Sequence, residues 1–425
     1  MNALVLGAGR SGKAAAEVLR RSGFEVTVLD GDEAFPDGEF ACAVVSPGVA
    51  LTHPWIAACR ERGIPYRSEL QVGCEALKAQ GWKLLAVTGS KGKSSVVKVV
   101  ADAINLAGMH AVACGNYGLP VSEVANPSTQ TPSNPNTQTP KHPNTSVSWA
   151  VVEVSSFMME TTDLPADTFE AVAVLNLQED HLDRHGDVIT YHRLKRLLLT
   201  MTPTGYDYSC ATGDFTEGFW RRLANRFFRM ADASVLEGSY FDNAVLRTNG
   251  IAAAQLMYEA GVPFRTIRRA FRDFKPLPHR MNLVAEIDGV RYIDDSKATS
   301  LSALAAGVIM ASALSPDPSS PIPLPSVRLI AGGLPKGDDP KSVLQTLTER
   351  VKKVYLIGQS AEAFARVWKS FVDCEICGTL ERAVAAAKRE AEKGETVLLS
   401  PGTASFDQFK SFGERGDVFA RLVNK

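Results

Sequence analysis

The sequence lacks a long apolar stretch: none of its 425 residues belongs to a run of about 18 apolar residues, the length that a membrane-spanning helix needs. Charge of one sign is also lacking, because 46 basic residues are balanced by 47 acidic ones, so no overall field favours nucleic acid or an anionic membrane. Cysteine is sparse, and seven scattered residues are typical of reduced thiols. These absences predict a soluble cytoplasmic protein that neither binds nucleic acid nor inserts into a membrane.

Apolar residues are plentiful in shorter segments, and they make up 45% of the chain. At about 150 residues per domain, the length predicts two to four domains with packed cores. Short apolar runs that end at glycine turns and lead into helical patterns predict an α/β fold. Residues 126–146 differ sharply, because they consist almost entirely of Pro, Thr, Asn, Ser and Gln. This stretch cannot bury apolar surface and is predicted to be a flexible insertion within a domain.

Residues 84–95 contain the pattern around which the chain is organised. An apolar run predicts a strand, Gly89-x-x-Gly92-Lys93-Ser94 follows, and a helical pattern begins directly afterwards. A glycine turn at a helix N-terminus favours a bound anion, so we expect Lys93 to reach the β- and γ-phosphates of a nucleotide and the Ser94 hydroxyl to bind Mg²⁺. The alternative is a simple glycine turn followed by a surface lysine.

The N-terminal segment carries a second glycine pattern, Gly7-Ala-Gly9-Arg10-Ser-Gly12, between a predicted strand and a predicted helix. A further strand ends at Asp30, which completes a dinucleotide-binding βαβ pattern. NAD binding is the plain hypothesis, but any ligand that carries phosphate would suit this helix N-terminus. The glycines could also serve only the close packing of the helix on the strand.

Two predicted strands of the middle segment end in groups that can bind a metal ion. Glu153 ends one strand, and His181 follows the next. Oxygen ligands at this position would suit Mg²⁺ beside a phosphate loop. Tyr191 and Lys195 are four residues apart and share one face of a predicted helix. From the residues alone, Glu153 could be a salt-bridged carboxylate, His181 a structural histidine and Lys195 a solvated lysine.

Five separated motifs of the middle segment together resemble the ATP-binding domain of the Mur amide ligases. They are Gly89-x-x-Gly-Lys-Ser, Gly115-Asn-x-Gly118, Glu153-Val-Ser-Ser-Phe157, the stretch 176–185 and Tyr191-x-x-x-Lys195. The resemblance implies two Mg²⁺ ions, of which Ser94 and Glu153 hold the first. It implies that Glu153, His181 and a CO₂-derived carbamate on Lys195 hold the second.

The same resemblance implies a set of nucleotide and substrate contacts. It implies that the catalytic residues are Lys93, His181 and Lys195. The implied ATP-binding residues are Gly89, Gly92, Lys93, Ser94, Ser95, Asn116, Asn249, Arg280, Asp295 and Lys297. For Asn249 a plain helix N-cap is the alternative, and both roles can hold together.

In place of NAD, the N-terminal domain would bind the uridine diphosphate of the substrate. The implied contacts to that group are Arg10, Ser11, Ser46, Asn116 and Ser156.

Three motifs of the C-terminal segment are similar to the branch of the family that adds D-glutamate to UDP-N-acetylmuramoyl-L-alanine. They are Asp295-Ser-Lys-Ala-Thr299, Gly332-Gly-x-x-Lys336-Gly and Ser400-Pro-x-x-Ala-Ser405-x-Asp-Gln-Phe409. Carried over, Thr299 and Lys336 take one carboxylate of D-glutamate, and Ser405 and the Phe412 backbone take the other. The chain departs from the family pattern at Gly31 and Asp32, where a threonine–arginine pair is usual, and at Ser300, where asparagine is usual.

The resemblance implies a monomer with three α/β domains. Residues 1–81 would form a Rossmann-like domain, 82–276 a P-loop-type ATPase domain and 277–425 a Rossmann-like domain that binds the amino acid. The implied activity is amide ligation through an acyl phosphate, with ATP, D-glutamate and a UDP-sugar as the small-molecule substrates. A folylpolyglutamate-type ligase and a binding module that hydrolyses ATP slowly are the alternatives.

Overall fold

The computed structural model describes residues 1–126, 147–209, 233–313 and 326–425. The insertion predicted to be flexible therefore lies outside the described residues, apart from Asn126. Helices and mostly parallel sheets confirm the predicted α/β class. The chain forms two compact units, of which the first is Met1–Asp242 with Leu246–Phe274 and the second is Lys275–Lys425 with Asn243–Val245.

The first sheet lies in the first unit, and its four strands are parallel in the order β2-β1-β3-β4. These strands are β1 (Asn2–Leu6), β2 (Glu25–Leu29), β3 (Cys42–Val45) and β4 (Tyr66–Ser68). The helices of this region are α1 (Arg10–Arg21), α2 (Pro54–Glu61) and α3 (Glu69–Ala79). Helix α1 packs closely on β1 because Gly12 has no side chain, and a Cβ there would collide with the carbonyl oxygen of Gly7.

The second sheet completes the first unit, with five parallel strands in the order β6-β7-β5-β8-β9. These strands are β5 (Lys83–Thr88), β6 (His110–Gly115), β7 (Ser148–Glu153), β8 (Ala171–Val174) and β9 (Gly205–Asp207). Its helices are α4 (Lys93–Leu106), α5 (Val121–Val124), α6 (Ser156–Met159), α7 (Leu182–His185), α8 (Val188–Leu197), α9 (Arg247–Glu259) and α10 (Phe264–Asp273), with 3₁₀ turns at Leu198–Met201 and Ala233–Leu236. Helices cover both faces, so the central strands are apolar on both sides.

The third sheet forms the second unit, and its six strands are ordered β10-β11-β15-β12-β13-β14, with β10 antiparallel to β11 and the other pairs parallel. These strands are β10 (Asn282–Ile287), β11 (Val290–Asp294), β12 (Val327–Gly332), β13 (Val351–Ile357), β14 (Asp373–Gly378) and β15 (Thr396–Leu399). Its helices are α11 (Leu301–Ala313), α12 (Leu344–Arg350), α13 (Ala361–Trp368), α14 (Leu380–Glu390) and α15 (Phe412–Val423), with a 3₁₀ turn at Pro340–Val343.

The glycine-rich motifs singled out in the sequence follow the carboxyl ends of strands, where open α/β sheets bind ligands, whereas Tyr191-x-x-x-Lys195 lies on helix α8. The glycine loop follows β5, Glu153 ends β7, and the stretch that begins at Asn176 follows β8. Because β5 lies between β7 and β8 in a parallel sheet, these three segments meet at one edge. Within the described ranges, no helix is both long enough and apolar enough to cross a bilayer.

Candidate active site

The glycine loop between β5 and α4 forms the first part of the site. Gly89 has a φ of 148° and Gly92 a φ of 84°, backbone conformations that residues with a Cβ rarely adopt. A Cβ at Gly92 would also collide with the side-chain amide of Asn249. This turn leads straight into the N-terminus of α4, where free N–H groups and the helix dipole favour an anion.

Asn176 holds this loop in place from the end of β8. Its Oδ1 accepts a hydrogen bond from the Lys91 N–H at 2.8 Å, and its Nδ2 donates to the Lys91 carbonyl at 2.9 Å. The Ser90 N–H donates to the Asn176 carbonyl at 2.8 Å. The Ser90 hydroxyl lies 3.1 Å from the Tyr191 hydroxyl. The sequence does not predict these roles, because the partners are about 85 to 100 residues apart and meet only in the folded sheet.

Lys93, Ser94 and Ser95 form the first turn of α4. The Lys93 amine donates to the carbonyls of Gly89 at 2.7 Å and Ser90 at 3.1 Å, so its charge lies over the glycine loop. Ser94 is partly exposed, whereas Ser95 is buried against the core. An amine that rests on loop carbonyls can turn to a phosphate bound in the same loop.

Glu153 places a buried carboxylate at the end of β7, with only 2% of its surface exposed. Its Oε1 accepts a hydrogen bond from Asn116 Nδ2 at 2.8 Å, but its Oε2 has no hydrogen-bond partner among the described residues. Gly115 makes this approach possible, because a Cβ there would collide with the Glu153 carbonyl. A buried carboxylate oxygen without a partner is destabilising unless a cation or donor satisfies it. The residues therefore fit a metal ion at this carboxylate.

Lys195 brings an amine to the same edge from helix α8, and only 2% of this residue is exposed. Its Nζ donates to the Gly89 carbonyl at 3.1 Å and lies 4.7 Å from the ring centre of Tyr191. Burial, aided by the charge of Lys93, lowers the pKa of the Lys195 amine to about 6. The amine is therefore mostly neutral at pH 7, unlike the solvated lysine that composition alone would suggest.

His181, like Asn176, follows strand β8. Its side chain is half-exposed, and its backbone has a φ of 55°. Its ring centre lies 4.8 Å from that of Phe157. Burial is the main cause that lowers the pKa of His181, with the charge of Asp180 opposing it and the charge of Lys195 adding to it. In the parts of the chain that the structure describes, no three or more His, Cys, Asp or Glu side chains are grouped to hold a metal ion. A metal ion here would therefore need oxygen ligands of other kinds, such as the Ser94 hydroxyl or the phosphates of a bound nucleotide.

A cavity of about 590 Å³ lies at the carboxyl edge of the first sheet. Four of the predicted substrate contacts line it, namely Arg10, Ser11, Ser46 and Asn116. The Ser46 hydroxyl donates to the Gly7 carbonyl at 2.9 Å and so fixes the glycine turn. Asp30, His53, Trp55 and Glu69 also line the cavity. Of these, only Asp30 is singled out by the sequence, as the tip of the second strand.

Ser156, the fifth predicted contact, does not line this cavity. It is 1% exposed, and its hydroxyl lies 2.9 Å from Nε2 of His185. The other ring nitrogen of His185 lies 3.4 Å from Glu160, which also pairs with Arg184 at 2.6 Å. Ser156 is thus part of a polar network with His185, Glu160 and Arg184.

Asn249 lies within helix α9 and not at its N-cap, so that alternative is wrong. The helix begins at Arg247 and its N-cap is Leu246, which makes no side-chain cap. Asn249 therefore occupies the third position of the helix, inside its first turn. Asn249 is 5% exposed, and its amide faces Gly92 of the glycine loop.

The second unit carries its own group of predicted residues, at the carboxyl ends of β11, β12 and β15. Asp295 is mostly buried, and its carboxylate accepts hydrogen bonds from the Ser400 hydroxyl at 2.9 Å and the Met281 N–H at 3.3 Å. Burial raises the pKa of Asp295 to about 7, and these hydrogen bonds and the charge of Arg280 oppose that rise.

The structure brings one predicted pair of amino-acid contacts together, because the Lys336 amine lies 3.4 Å from the Thr299 hydroxyl. The amine of Lys297, a predicted ATP contact, lies 3.9 Å from the ring centre of Phe412. Leu334 and Ala404 exchange backbone hydrogen bonds at 2.9 and 3.1 Å, which joins the loop of Lys336 to the loop of Ser405. Ser405 itself is 2% exposed.

Arg415, in the first turns of α15, links the loop after β11 to the loop after β15, and nothing in the sequence singles it out. The residue is fully buried. Its guanidinium donates to the Ser296 hydroxyl at 2.9 Å, the Ser296 carbonyl at 2.9 Å and the Thr403 carbonyl at 3.2 Å. The Ser296 hydroxyl donates in turn to the Phe412 carbonyl at 2.8 Å. Burial lowers the pKa of Arg415 to about 10, which still leaves it charged at neutral pH.

Comparison with protein families gives two matches along the chain. Residues 87–239 match the Mur ligase middle domain, and residues 279–402 match the Mur ligase, glutamate ligase domain. Two curated relatives carry the name UDP-N-acetylmuramoylalanine–D-glutamate ligase. The one from Chlamydia abortus is 30% identical over 99% of this chain and 97% of its own length. The one from Chromobacterium violaceum is 33% identical over 99% of this chain and 96% of its own length.

Solved structures share the fold at much lower identity. UDP-N-acetylmuramate-alanine ligase MurC from Thermotoga maritima has a TM-score of 0.55 at 14% identity, over 100% of both chains. MurF ligase from Thermotoga maritima in complex with ADP has a TM-score of 0.54 at 13% identity, over 90% of this chain and 94% of its own. At this identity, the likeness concerns the fold alone.

Proposed function

Because the chain belongs to the Mur ligase family, we propose that it adds D-glutamate to UDP-N-acetylmuramoyl-L-alanine in an ATP-dependent step of peptidoglycan precursor synthesis. The curated relatives that bear the name of this activity align with nearly the whole chain. The observation that carries the proposal is the buried, largely neutral Lys195 amine, 3.1 Å from the glycine-loop carbonyl of Gly89. A purely structural lysine has no need of that position.

ATP binding is assigned to the glycine loop and the N-terminus of α4. Members of the family use ATP and Mg²⁺, and one solved neighbour holds ADP. We assign the phosphates to Gly89, Gly92 and the α4 backbone, with Lys93 turning from the loop carbonyls to neutralise them. Asn249, which faces the loop, would contact the nucleotide.

The metal site is assigned to Glu153 and Ser94 for a first Mg²⁺, and to Glu153, His181 and Lys195 for a second. The orphaned Oε2 of Glu153 supports this assignment, because a cation would complete its bonding. When bound, the ions would neutralise charge on the phosphates and on the carboxylate that is being phosphorylated. Asn116 holds the other carboxylate oxygen and so aims Oε2.

We further propose that CO₂ carbamylates the Lys195 amine. Only a neutral amine reacts with CO₂, and burial supplies a neutral amine at pH 7. Reaction of the amine with CO₂ forms an N–C bond, releases one proton and leaves an anionic carbamate. That anion would give the lysine the oxygen ligands that a magnesium ion prefers. The Gly89 carbonyl and the Tyr191 ring hold the side chain in place for this role.

The chemistry would proceed in two steps. The substrate carboxylate attacks the γ-phosphorus of ATP, which gives an acyl phosphate and ADP. The amine of D-glutamate then attacks the acyl carbon, phosphate leaves, and His181 or a nearby carboxylate accepts the amine proton. The chain's part is to bind and orient three anionic reactants and to stabilise developing charge, chiefly through Lys93.

The amino-acid contacts are assigned to the second unit. A dianionic amino acid needs charged and hydroxyl donors for each carboxylate, and Lys336 with Thr299 offers one such pair. Ser405 and the Phe412 backbone are assigned to the other carboxylate.

The uridine diphosphate is assigned to the cavity that Arg10, Ser11, Ser46 and Asn116 line. Ser156 is also assigned to this group. Arg280, Asp295 and Lys297 are assigned to the nucleotide. We place this monomeric enzyme in the cytoplasm, where ATP is available.

The test is phosphate release from ATP with UDP-N-acetylmuramoyl-L-alanine and each candidate amino acid. We expect release with D-glutamate that exceeds release with L-glutamate or meso-diaminopimelate by at least about 100-fold, because mismatched carboxylates leave the hydrogen-bond donors of the site unpaired. Equal rates with meso-diaminopimelate would reject the assignment. Acceptance of L-glutamate without any UDP-linked substrate would favour a folylpolyglutamate-type ligase instead.

A further inference from the structure

Arg10 begins helix α1, directly after the glycine turn that faces the cavity of the first unit. Its Nε donates to Glu123 Oε2 at 2.9 Å, and its Nη2 donates to Glu123 Oε1 at 3.2 Å. Its Nη1 lies 3.4 Å from the Gly118 carbonyl. Glu123 stands on the short helix α5, after β6. The pair therefore joins the phosphate-binding turn of the first sheet to a segment that flanks the second.

The Arg10–Glu123 pair uses N–H donors of the guanidinium that a phosphate would also use. A guanidinium binds a phosphate as it binds a carboxylate, through two parallel N–H groups along one edge. Glu123 occupies the edge formed by Nε and Nη2 of Arg10. Arg10 and Gly118 line the cavity, whereas Glu123 does not. Glu123 thus holds one of the two bidentate edges of the guanidinium from outside the cavity, and Nη1 on the other edge lies 3.4 Å from the Gly118 carbonyl. An anion bound at the N-terminus of α1 would therefore compete with these acceptors for the donors and the charge of Arg10.

A bound anion can displace Glu123 from Arg10 at little cost in stability. The side chain of Arg10 is 59% exposed and that of Glu123 is 24% exposed, and ion pairs that water reaches contribute little to stability. A diphosphate carries more charge than a carboxylate, and the helix N-terminus adds to its attraction. A bound diphosphate can thus displace Glu123, at the expense of part of its own affinity.

We propose that Glu123 is a positioning residue that competes with the substrate's diphosphate for Arg10 and so weakens binding of the UDP-linked substrate and product. This inference rests on the proposed function, which supplies the diphosphate. The product carries the same diphosphate as the substrate, so the Arg10–Glu123 pair forms again as the product leaves. The competing carboxylate thereby favours release.

The test is the affinity of the Glu123→Gln protein for UDP, measured by titration calorimetry, together with the KM for each substrate. Glutamine keeps the shape and removes the charge, so we expect the Kd for UDP and the KM for the UDP-linked substrate to fall by roughly two- to fivefold, the range that an exposed ion pair is worth. The KM values for ATP and D-glutamate should stay unchanged. In an Arg10→Ala background, Glu123→Gln should have no effect on UDP binding.

A matched control lies on the same helix. Glu17 pairs with Arg21 at 3.1 Å, both side chains are partly exposed, and neither residue lines the cavity. Glu17→Gln should leave UDP binding unchanged. An unchanged or raised Kd in Glu123→Gln, or an effect that persists without Arg10, would overturn the inference. If the wild-type protein does not bind UDP at all, the proposed substrate fails rather than this competition.

Discussion

At the scale of single residues, Lys195 and Glu153 are unusual because each is charged in water and buried here without an ordinary ion-pair partner at hydrogen-bond distance among the described residues. Buried ionisable groups of this kind are retained where chemistry needs them, since apolar side chains would pack more favourably. Their shared position beside the glycine loop distinguishes this candidate ligase site from a general nucleotide-binding site.

Lys195→Ala should abolish nearly all turnover, with kcat lower by on the order of 100- to 1,000-fold, as when one group that stabilises transition-state charge is removed. Short carboxylates added to the reaction should restore part of the activity, because they can occupy the space of the proposed carbamate. Phosphate release checks both results. Full activity in the variant would favour a binding module that hydrolyses ATP slowly.

Gly92→Ala should raise the KM for ATP and lower stability, because the new Cβ meets Asn249 and the φ of 84° is strained. Gly108→Ala is the matched control, since Gly108 has the same φ of 84° but has no atom within 4 Å of an added Cβ. Both variants should lose about 1–2 kcal/mol from backbone strain. Only Gly92→Ala should weaken ATP binding, and equal KM values in the two would contradict this.

At the scale of elements, the strand ends are the part of the fold that the sequence predicts well. The runs that precede Gly89, Glu153 and Asn176 are apolar and short, and each forms a buried parallel strand. What the sequence does not predict are contacts between distant loops, such as Asn176 with Lys91 or Arg415 with Ser296, because these depend on how strands order themselves in the sheet. The N-cap alternative for Asn249 was wrong, because the helix begins two residues earlier, at Arg247.

Asn176→Ala should loosen the glycine loop, because two hydrogen bonds to the backbone of Lys91 are lost. We expect a loss of about 1–3 kcal/mol in unfolding free energy and a raised KM for ATP. Asn105→Ala is the control: Asn105 makes two similar hydrogen bonds to the backbone of Ala111, at the other end of α4. Denaturant unfolding should show similar losses in both, whereas a raised KM in Asn105→Ala as well would remove the special role of Asn176.

At the scale of the whole molecule, buried carboxyl groups should make the stability of the protein depend on pH. Burial raises the pKa of Glu69 to about 7, although hydrogen bonds from Ser122 oppose the rise. The folded state therefore holds a proton that the unfolded state has lost between about pH 4.5 and 7. Stability from this group is present at lower pH and is lost as the pH rises through that window. Asp295 acts in the same direction in the second unit.

Glu69→Gln should flatten this dependence, because a glutamine cannot lose a proton. Relative to wild type, the variant should gain about 1–3 kcal/mol in unfolding free energy as the pH rises from 5 to 8. Urea unfolding at several pH values measures the slope. The exposed Glu75 lies on the same helix, and Glu75→Gln should leave the slope as in wild type. A parallel curve for Glu69→Gln would mean that Glu69 titrates alike in both states.

The domain limits at 81/82 and 276/277 remain predictions, as do the roles of the site residues. The sequence resemblance nonetheless selected, from 425 residues, side chains that the fold brings to the ends of neighbouring strands. It did not predict the supporting hydrogen bonds that Asn176 and Arg415 make, since such a bond between distant segments leaves no local pattern in the sequence.

The central claim, that a buried amine beside the glycine loop captures CO₂, is tested most directly by ¹³C NMR of the protein in ¹³C-bicarbonate. We predict one carbamate resonance per chain at neutral pH, which is absent from the Lys195→Ala protein. No labelled carbamate in the wild type, or a resonance that persists in Lys195→Ala, would contradict the account.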